Sequence, residues 1–209
     1  MPALPIPSDP SSSRPVRLGV LGSGAGSNYD ALAKAVERGE LDAEFVIVIS
    51  DVADAGLLSK ARARNTPAIF VDPGLFQTKL SDAAQEEMGR HLVEAGAEYV
   101  VCAGFMRRLK EPVLNAFPGR ILNIHPSLLP QFPGRDAISQ ALAAGVTETG
   151  CTVHLVNEEI DAGDILAQEK VAVLPEDTRE TLLAKVNAAE HRLYPGAIAA
   201  YVKSRTIQP

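Results

Sequence analysis

The 209-residue sequence contains no apolar run approaching the ~18 residues that a membrane-spanning helix needs, which argues against a helical membrane protein. It also has no surplus of basic residues. With a formal net charge of -6, a broad surface for nucleic acid or for an anionic membrane is not expected, because both bind through clustered Lys and Arg. An anionic small molecule would need a locally positive pocket. Cysteine is scarce: the two present, Cys102 and Cys151, sit in apolar strand-like runs, where buried reduced thiols are expected rather than a disulfide or metal ligands. A reducing, cytoplasmic setting fits. The four histidines, His91, His125, His154 and His191, show no metal-ligand spacing, so no metal is expected. The first 15 residues carry five Pro and four Ser, but no basic start, long apolar stretch or small-residue cleavage pattern. They read as a disordered leader, not a signal peptide.

What is present is a globular composition, 46% hydrophobic and 22% charged, long enough for one substantial domain over residues 16–209. Short β-branched runs alternate with amphipathic stretches. Strands are expected at Val16–Leu21, Phe45–Ile49, Ala68–Val71 and Tyr99–Ala103, with helices at Ser27–Val36, Leu57–Arg64 and Thr78–Ala95 between them. That order implies a parallel sheet with right-handed crossovers. The second half adds a strand at Ile121–Ile124, a Pro-rich segment Pro126–Pro133 and a helix at Asp136–Ala144. Two longer strands, Thr149–Val156 and Ile165–Val173, follow as antiparallel neighbours around a turn at Glu158–Gly163. A last helix, Thr178–Lys203, should be interrupted or kinked at Pro195. The expected fold is α/β: a Rossmann-like, open, mostly parallel twisted sheet of about seven strands, helices on both faces and one late strand antiparallel.

Four segments carry residues suited to chemistry. Gly22, Gly24 and Gly26, followed by Ser27 and Asn28, lie between a strand and a helix, where backbone N–H groups converge on a site for a phosphate. The alternative is a tight turn with Ser27 as a helix cap. Asn123 and His125 alternate along one strand and so share a face, bringing an amide donor and a titratable imidazole together where the chain leaves the sheet; a loop-bracing pair is the alternative. Asp161 lies in the acidic loop Glu158–Asp164, whose spacing does not fit an EF-hand. The stretch Ala103–Leu109 mixes apolar bulk with Arg107 and Arg108, as a flat aromatic ligand with carboxylates would require, or as a solvated loop would carry.

Taken in order, these segments resemble the phosphoribosylglycinamide formyltransferase family, folate-dependent enzymes of purine synthesis, over essentially everything from Val16 to Lys203. Gly-Ser-Asn after the first strand, Ala-Gly-Phe-Met-Arg after the fourth, Asn-Ile-His-Pro-Ser-Leu-Leu-Pro, the Asp-Ala-Gly loop, and Glu190-His191 with Tyr194-Pro195 carry the resemblance. It implies a mononucleotide-type half, about residues 16–117, and a folate-binding, catalytic half, about 118–209, with the active site between them. It also implies that Gly26, Ser27 and Asn28 hold the ribose phosphate of 5-phosphoribosylglycinamide and that Glu190 contacts its glycinamide end. Asn123, His125 and Asp161 match the catalytic trio. Met106, Arg107, Arg108 and Leu109 match the segment that cradles the pterin of 10-formyltetrahydrofolate, with Arg107 near the glutamate tail; Lys79 and Asn123 match further contacts to that co-substrate. Two positions depart from the family pattern: Arg135-Asp136 stands where a His-containing segment is common, and Asp51 where Asn is usual.

The implied reaction is direct attack of the substrate amine on the formyl carbon. Asn123 and protonated His125 would stabilise the tetrahedral oxyanion, and Asp161 would favour the imidazolium and help the amine lose its proton. No metal or covalent intermediate is required. The partners are then two small molecules, with no nucleic acid and no membrane, in a monomer or homodimer. The nearest rival, methionyl-tRNA formyltransferase, shares the Asn-x-His core but needs a further C-terminal domain and a basic surface. A formyl-folate hydrolase is expected to carry an added N-terminal domain. A nucleotide-binding module or dinucleotide-dependent dehydrogenase is the reading from another class.

Overall fold

The computed structural model describes residue 4, residues 14–76 and residues 78–207. The leader expected over residues 1–15 lies outside the described residues except at positions 4, 14 and 15. Seven strands form one sheet in the order β3-β2-β1-β4-β5-β6-β7. They are β1 (Val16–Leu21), β2 (Ala43–Ser50), β3 (Ala68–Phe70), β4 (Tyr99–Cys102), β5 (Ile121–His125), β6 (Glu148–Leu155) and β7 (Ile165–Ala172). The pairings from β3 through β5 are parallel, and β6 runs antiparallel to both β5 and β7. This is the open, mostly parallel α/β sheet with one late antiparallel strand that the residue pattern implies. Six helices accompany it among the described residues: α1 (Ser27–Glu37), α2 (Gly56–Ala63), α3 (Asp82–Glu94), α4 (Val113–Ala116), α5 (Ala137–Ala143) and α6 (Arg179–Ile207).

Helices cover both faces because the strands are apolar on both. Val20, Val48, Val101 and Leu122 belong to one core with Leu32 of α1, Leu58 of α2 and Leu182 of α6. Their strand neighbours Leu21, Ile49, Val100 and Ile121 point the other way, into a second core with Met88 of α3 and Val113 of α4. Strand order reverses between β1 and β4, so the loops that leave their carboxyl ends diverge to opposite faces and open a crevice. The glycine-rich loop after β1 and the segment after β4 border that crevice.

Three local features differ from the sequence expectation. Helix α3 begins at Asp82, not Thr78, because Pro73 and Gly74 hold a loop whose end, Ser81, caps the helix by accepting a hydrogen bond from Ala84 N at 3.2 Å. The short helix α4 was not legible. Helix α6 runs unbroken through Pro195, which can offer no N–H to the His191 carbonyl but sits in a 29-residue element fixed by its packing.

Tyr194 is the packing anchor of that helix. Its ring is 1% exposed, and its hydroxyl lies 3.1 Å from Cys102 O and 3.0 Å from Leu122 O, so α6 is tied to the ends of β4 and β5. Removing the hydroxyl leaves two buried carbonyls with one donor fewer. Tyr194→Phe should therefore destabilise the fold by about 1–3 kcal/mol, measurable as a lower urea midpoint at unchanged slope.

Candidate active site

Strand β5 delivers Asn123 and His125 to the same face, as alternation requires, while Leu122 and Ile124 turn into the opposite core. Across the antiparallel pairing, Asn123 lies opposite His154 and His125 opposite Thr152. Thr152 fixes the loop that follows: its hydroxyl donates to Ser127 O at 2.6 Å and accepts from Leu129 N at 3.0 Å. The loop then folds back over His125, whose Nε2 lies 2.9 Å from Phe132 O. Phe132 has a left-handed backbone, φ 53°, in a conformation that favours glycine and that this side chain adopts only under constraint.

Asp161 reaches the same point from the loop between β6 and β7, also with positive φ, 50°, which an Asp tolerates better than most residues. Its Oδ2 accepts a hydrogen bond from Gly134 N at 2.8 Å and lies 3.3 Å from His125 Nδ1. Its Oδ1 is 3.5 Å from His154 Nε2. Burial pushes the Asp161 carboxyl up, but contact with His154, the positive charge available on His125 and the Gly134 N–H outweigh it and hold the group below its ordinary range. Both ring nitrogens of His125 face groups that only accept, a carboxylate and a carbonyl. An imidazolium with two N–H donors satisfies both.

These side chains border a cavity of about 410 Å3, whose wall also includes Gly104, Met106, Arg107, Arg108 and Leu109. Leu109 is buried and Met106 is 58% exposed at the rim. Arg107 is held down, its Nε 2.6 Å from Asp51 Oδ2 and its guanidinium also donating to Phe76 O. Arg108 donates to the Glu158 carbonyl, across the cavity mouth. Lys79 pairs with Arg108 through the backbone, but its ammonium stacks 4.0 Å from the Phe76 ring and does not line the cavity. The Cys102 thiol borders the cavity too; burial pushes it up to about 12, so it is no nucleophile at neutral pH.

The glycine-rich loop forms a second cluster beside the first. Helix α1 starts at a left-handed Gly26, φ 76°, where a Cβ would meet Leu57 Cα at 2.8 Å, and no side chain caps its first N–H groups. Ser27 opens the helix, and Asn28 behind it is buried, donating from Nδ2 to Glu190 Oε2 at 2.9 Å. The two clusters are joined: Ser23 N donates to Gly104 O at 3.0 Å, and Met106 N donates to Ser23 Oγ at 2.9 Å. The site thus unites Asn123, His125 and Asp161 with the 106–109 segment, and sets Gly26, Ser27, Asn28 and Glu190 alongside. Sequence reasoning missed His154, whose only signal was alternation along a strand whose partner and register were unknown. Among the described residues no group of three or more His, Cys, Asp or Glu side chains has the arrangement of a metal site.

Comparison with known proteins identifies a family for the sequence and the fold. Residues 16–198 match the formyl transferase family. The phosphoribosylglycinamide formyltransferase of Bacillus subtilis (strain 168) is 36% identical over 184 residues, 87% of this chain and 92% of that protein. The trifunctional purine biosynthetic protein adenosine-3 of Drosophila pseudoobscura pseudoobscura is 43% identical over 185 residues; the match takes in 88% of this chain but spans only 13% of that protein. The crystal structure of glycinamide ribonucleotide transformylase 1 from Symbiobacterium toebii superposes with a TM-score of 0.87 at 42% identity, covering 92% of this chain and 90% of that one. With sequence and fold in agreement over nearly its whole length, the chain belongs to the formyl transferase family.

Proposed function

We propose that this protein transfers the formyl group of 10-formyltetrahydrofolate to the amine of 5-phosphoribosylglycinamide, a step of purine biosynthesis, in the cytoplasm. The observation that carries the reading is the convergence of Asn123, His125 and Asp161 on one cavity, whose 104–106 wall is hydrogen-bonded to Ser23 of the glycine-rich loop that leads into α1. The parts from residues 16–117 and 118–209 meet there. The cavity takes the folate against Met106, Arg107, Arg108 and Leu109, with Lys79 at the outer edge. Gly26, Ser27 and Asn28 take the phosphate, since free N–H groups at a helix N-terminus complement an anion. Glu190 faces the glycinamide end.

In this reading the substrate amine attacks the formyl carbon and the carbonyl oxygen becomes an oxyanion. Asn123 donates a hydrogen bond to it. His125 supplies the charged donor: an oxyanion is a far stronger acceptor than the Phe132 carbonyl that its Nε2 faces, so exchange of one for the other is favourable in the transition state. Asp161, ionised because its carboxyl lies low, keeps the imidazolium in place and takes up the amine proton through water; the oxyanion then collapses, the bond from the formyl carbon to N10 of the folate breaks, and the proton passes on to N10, giving tetrahydrofolate. The direct test is formation of tetrahydrofolate from 10-formyltetrahydrofolate, followed by absorbance. Turnover should require glycinamide ribonucleotide; equal turnover without it would mean a hydrolase.

Asp161→Asn keeps the size of the side chain and removes its charge. Its kcat should fall by about 100-fold or more, with both ligand affinities by calorimetry and the thermal midpoint nearly unchanged. A loss confined to folate affinity or stability would make Asp161 a loop residue only.

Glu190 gives a prediction in pH. Burial pushes its carboxyl from an ordinary 4.5 up to about 7, opposed only in part by the Asn28 hydrogen bond. The folded protein therefore holds this proton more tightly than the unfolded chain. Stability is greatest below the unfolded value and declines as pH rises toward 7, by up to about 3 kcal/mol, then levels once the folded carboxyl ionises. Glu190→Gln should remove this slope, so that urea unfolding at pH 5 and pH 8 differs less than in the parent, while ribonucleotide affinity drops. An unchanged difference would place the slope on other groups.

A further inference from the structure

We propose that His154 is a positioning residue for formyl transfer: its neutral imidazole takes one N–H of the Asn123 amide and thereby sets which end of that amide faces the cavity. The inference rests on the role read for Asn123 above. An unrestrained asparagine amide presents its oxygen or its nitrogen to a given direction with little preference, yet only the N–H end can stabilise an oxyanion.

The ring of His154 removes that ambiguity. It is buried, with 2% of its side chain exposed; Nδ1 faces one polar partner, and Nε2 faces Asn123 Nδ2 and, farther off, Asp161 Oδ1. Nδ1 lies 2.8 Å from Leu155 O, and a carbonyl only accepts, so Nδ1 carries a hydrogen. Nε2 lies 3.0 Å from Asn123 Nδ2. With the proton on Nδ1, the neutral ring has a lone pair at Nε2, and a lone pair can bind only the N–H end of the amide. The competing arrangement protonates Nε2 and aims it at Asp161 Oδ1, where it would help hold that carboxyl low; that contact is the longer one, 3.5 Å against 3.0 Å to Asn123, and Asp161 keeps the Gly134 N–H and His125 as partners without it. One hydrogen of Nδ2 is thus engaged by His154. The second is left to donate into the cavity, and Oδ1 is kept away from the ring. The register of β5 against β6 enforces the contact, because Asn123 and His154 are directly opposed.

The variants separate the two nitrogens. In His154→Gln the amide reaches roughly where Nε2 lies and can accept from Asn123. In His154→Asn the shorter amide reaches roughly where Nδ1 lies and keeps only the Leu155 bond. His154→Phe keeps the ring volume and neither bond. Steady-state kcat and the dissociation constants of glycinamide ribonucleotide and a folate analogue are measured for each, and for Asn123→Ala with and without His154→Phe. The phenylalanine and asparagine variants should lose kcat roughly 10- to 100-fold with nearly unchanged dissociation constants, and the glutamine variant should recover most of the loss. In the Asn123→Ala background, His154→Phe should change the residual rate little, since no amide remains to be oriented. Should His154→Phe not fold, the comparison of Gln with Asn decides alone. The proposal is overturned if the folded His154→Phe or His154→Asn protein turns over like the parent, if glutamine is no better than asparagine, or if the losses at 123 and 154 multiply. An Asn123→Ala protein with parental kcat would overturn the reading of Asn123 itself, and this inference with it, a result distinct from the other three.

Discussion

Asp161 Oδ2 joins two loops that the sheet by itself leaves independent. It accepts from Gly134 N at 2.8 Å, which fixes the return of the 126–134 segment, and it lies 3.3 Å from His125 Nδ1, which fixes the ring. A carboxylate can only accept, so the imidazole must present a hydrogen to it, and the Phe132 carbonyl on the far side makes the same demand of the other nitrogen. One buried acid therefore sets loop geometry and proton inventory together. The left-handed backbones at Phe132 and Asp161, each costing on the order of 1–3 kcal/mol, are consistent with contacts strong enough to over-determine them.

The rest of the crevice is held by ties of the same kind between segments that leave different strands. Ser23 bonds the glycine-rich loop to Gly104 and Met106; Arg107 is drawn to Asp51 at the end of β2 and to the Phe76 carbonyl; Thr152 anchors Ser127 and Leu129. The two surfaces proposed for the ligands are thereby built as one mechanical unit. The Asp51 pairing places a second charge beside Arg107, with Asp51 Oδ1 buried and without a hydrogen-bond partner among the described residues. The buried carboxylate of Asp51 would be costly alone, and pairing with the half-buried Arg107 offsets that cost while lowering the net positive charge at the cavity wall.

Stability and function pull apart at Glu190. A carboxyl 4% exposed on α6, with Asn28 as its one hydrogen-bond partner among the described residues, costs the unliganded fold free energy once ionised. Residues kept at such a cost are concentrated where ligands bind, and here the cost falls beside the helix N-terminus assigned to the ribonucleotide.

Much of this was legible in the residues themselves. Short, near-continuous apolar runs separated by 3.6-period stretches point to a mostly parallel α/β sheet, since the crossover helices cover both faces of such strands. Alternation alone places Asn123 and His125 together, and the motif order points to the family. The local pattern did not determine where α3 begins, because Ser81 acts as a cap only when Gly74 and Pro73 hold the preceding loop, nor that α6 would continue through Pro195, where packing of Tyr194 outweighs one missing hydrogen bond. It could not reveal that Arg107 turns to Asp51 or that His154 meets Asn123. Those contacts span 56 and 31 residues of chain. They exist only once strand order and register are set, and register follows from the burial of whole faces, a property of the assembled sheet that no single segment carries.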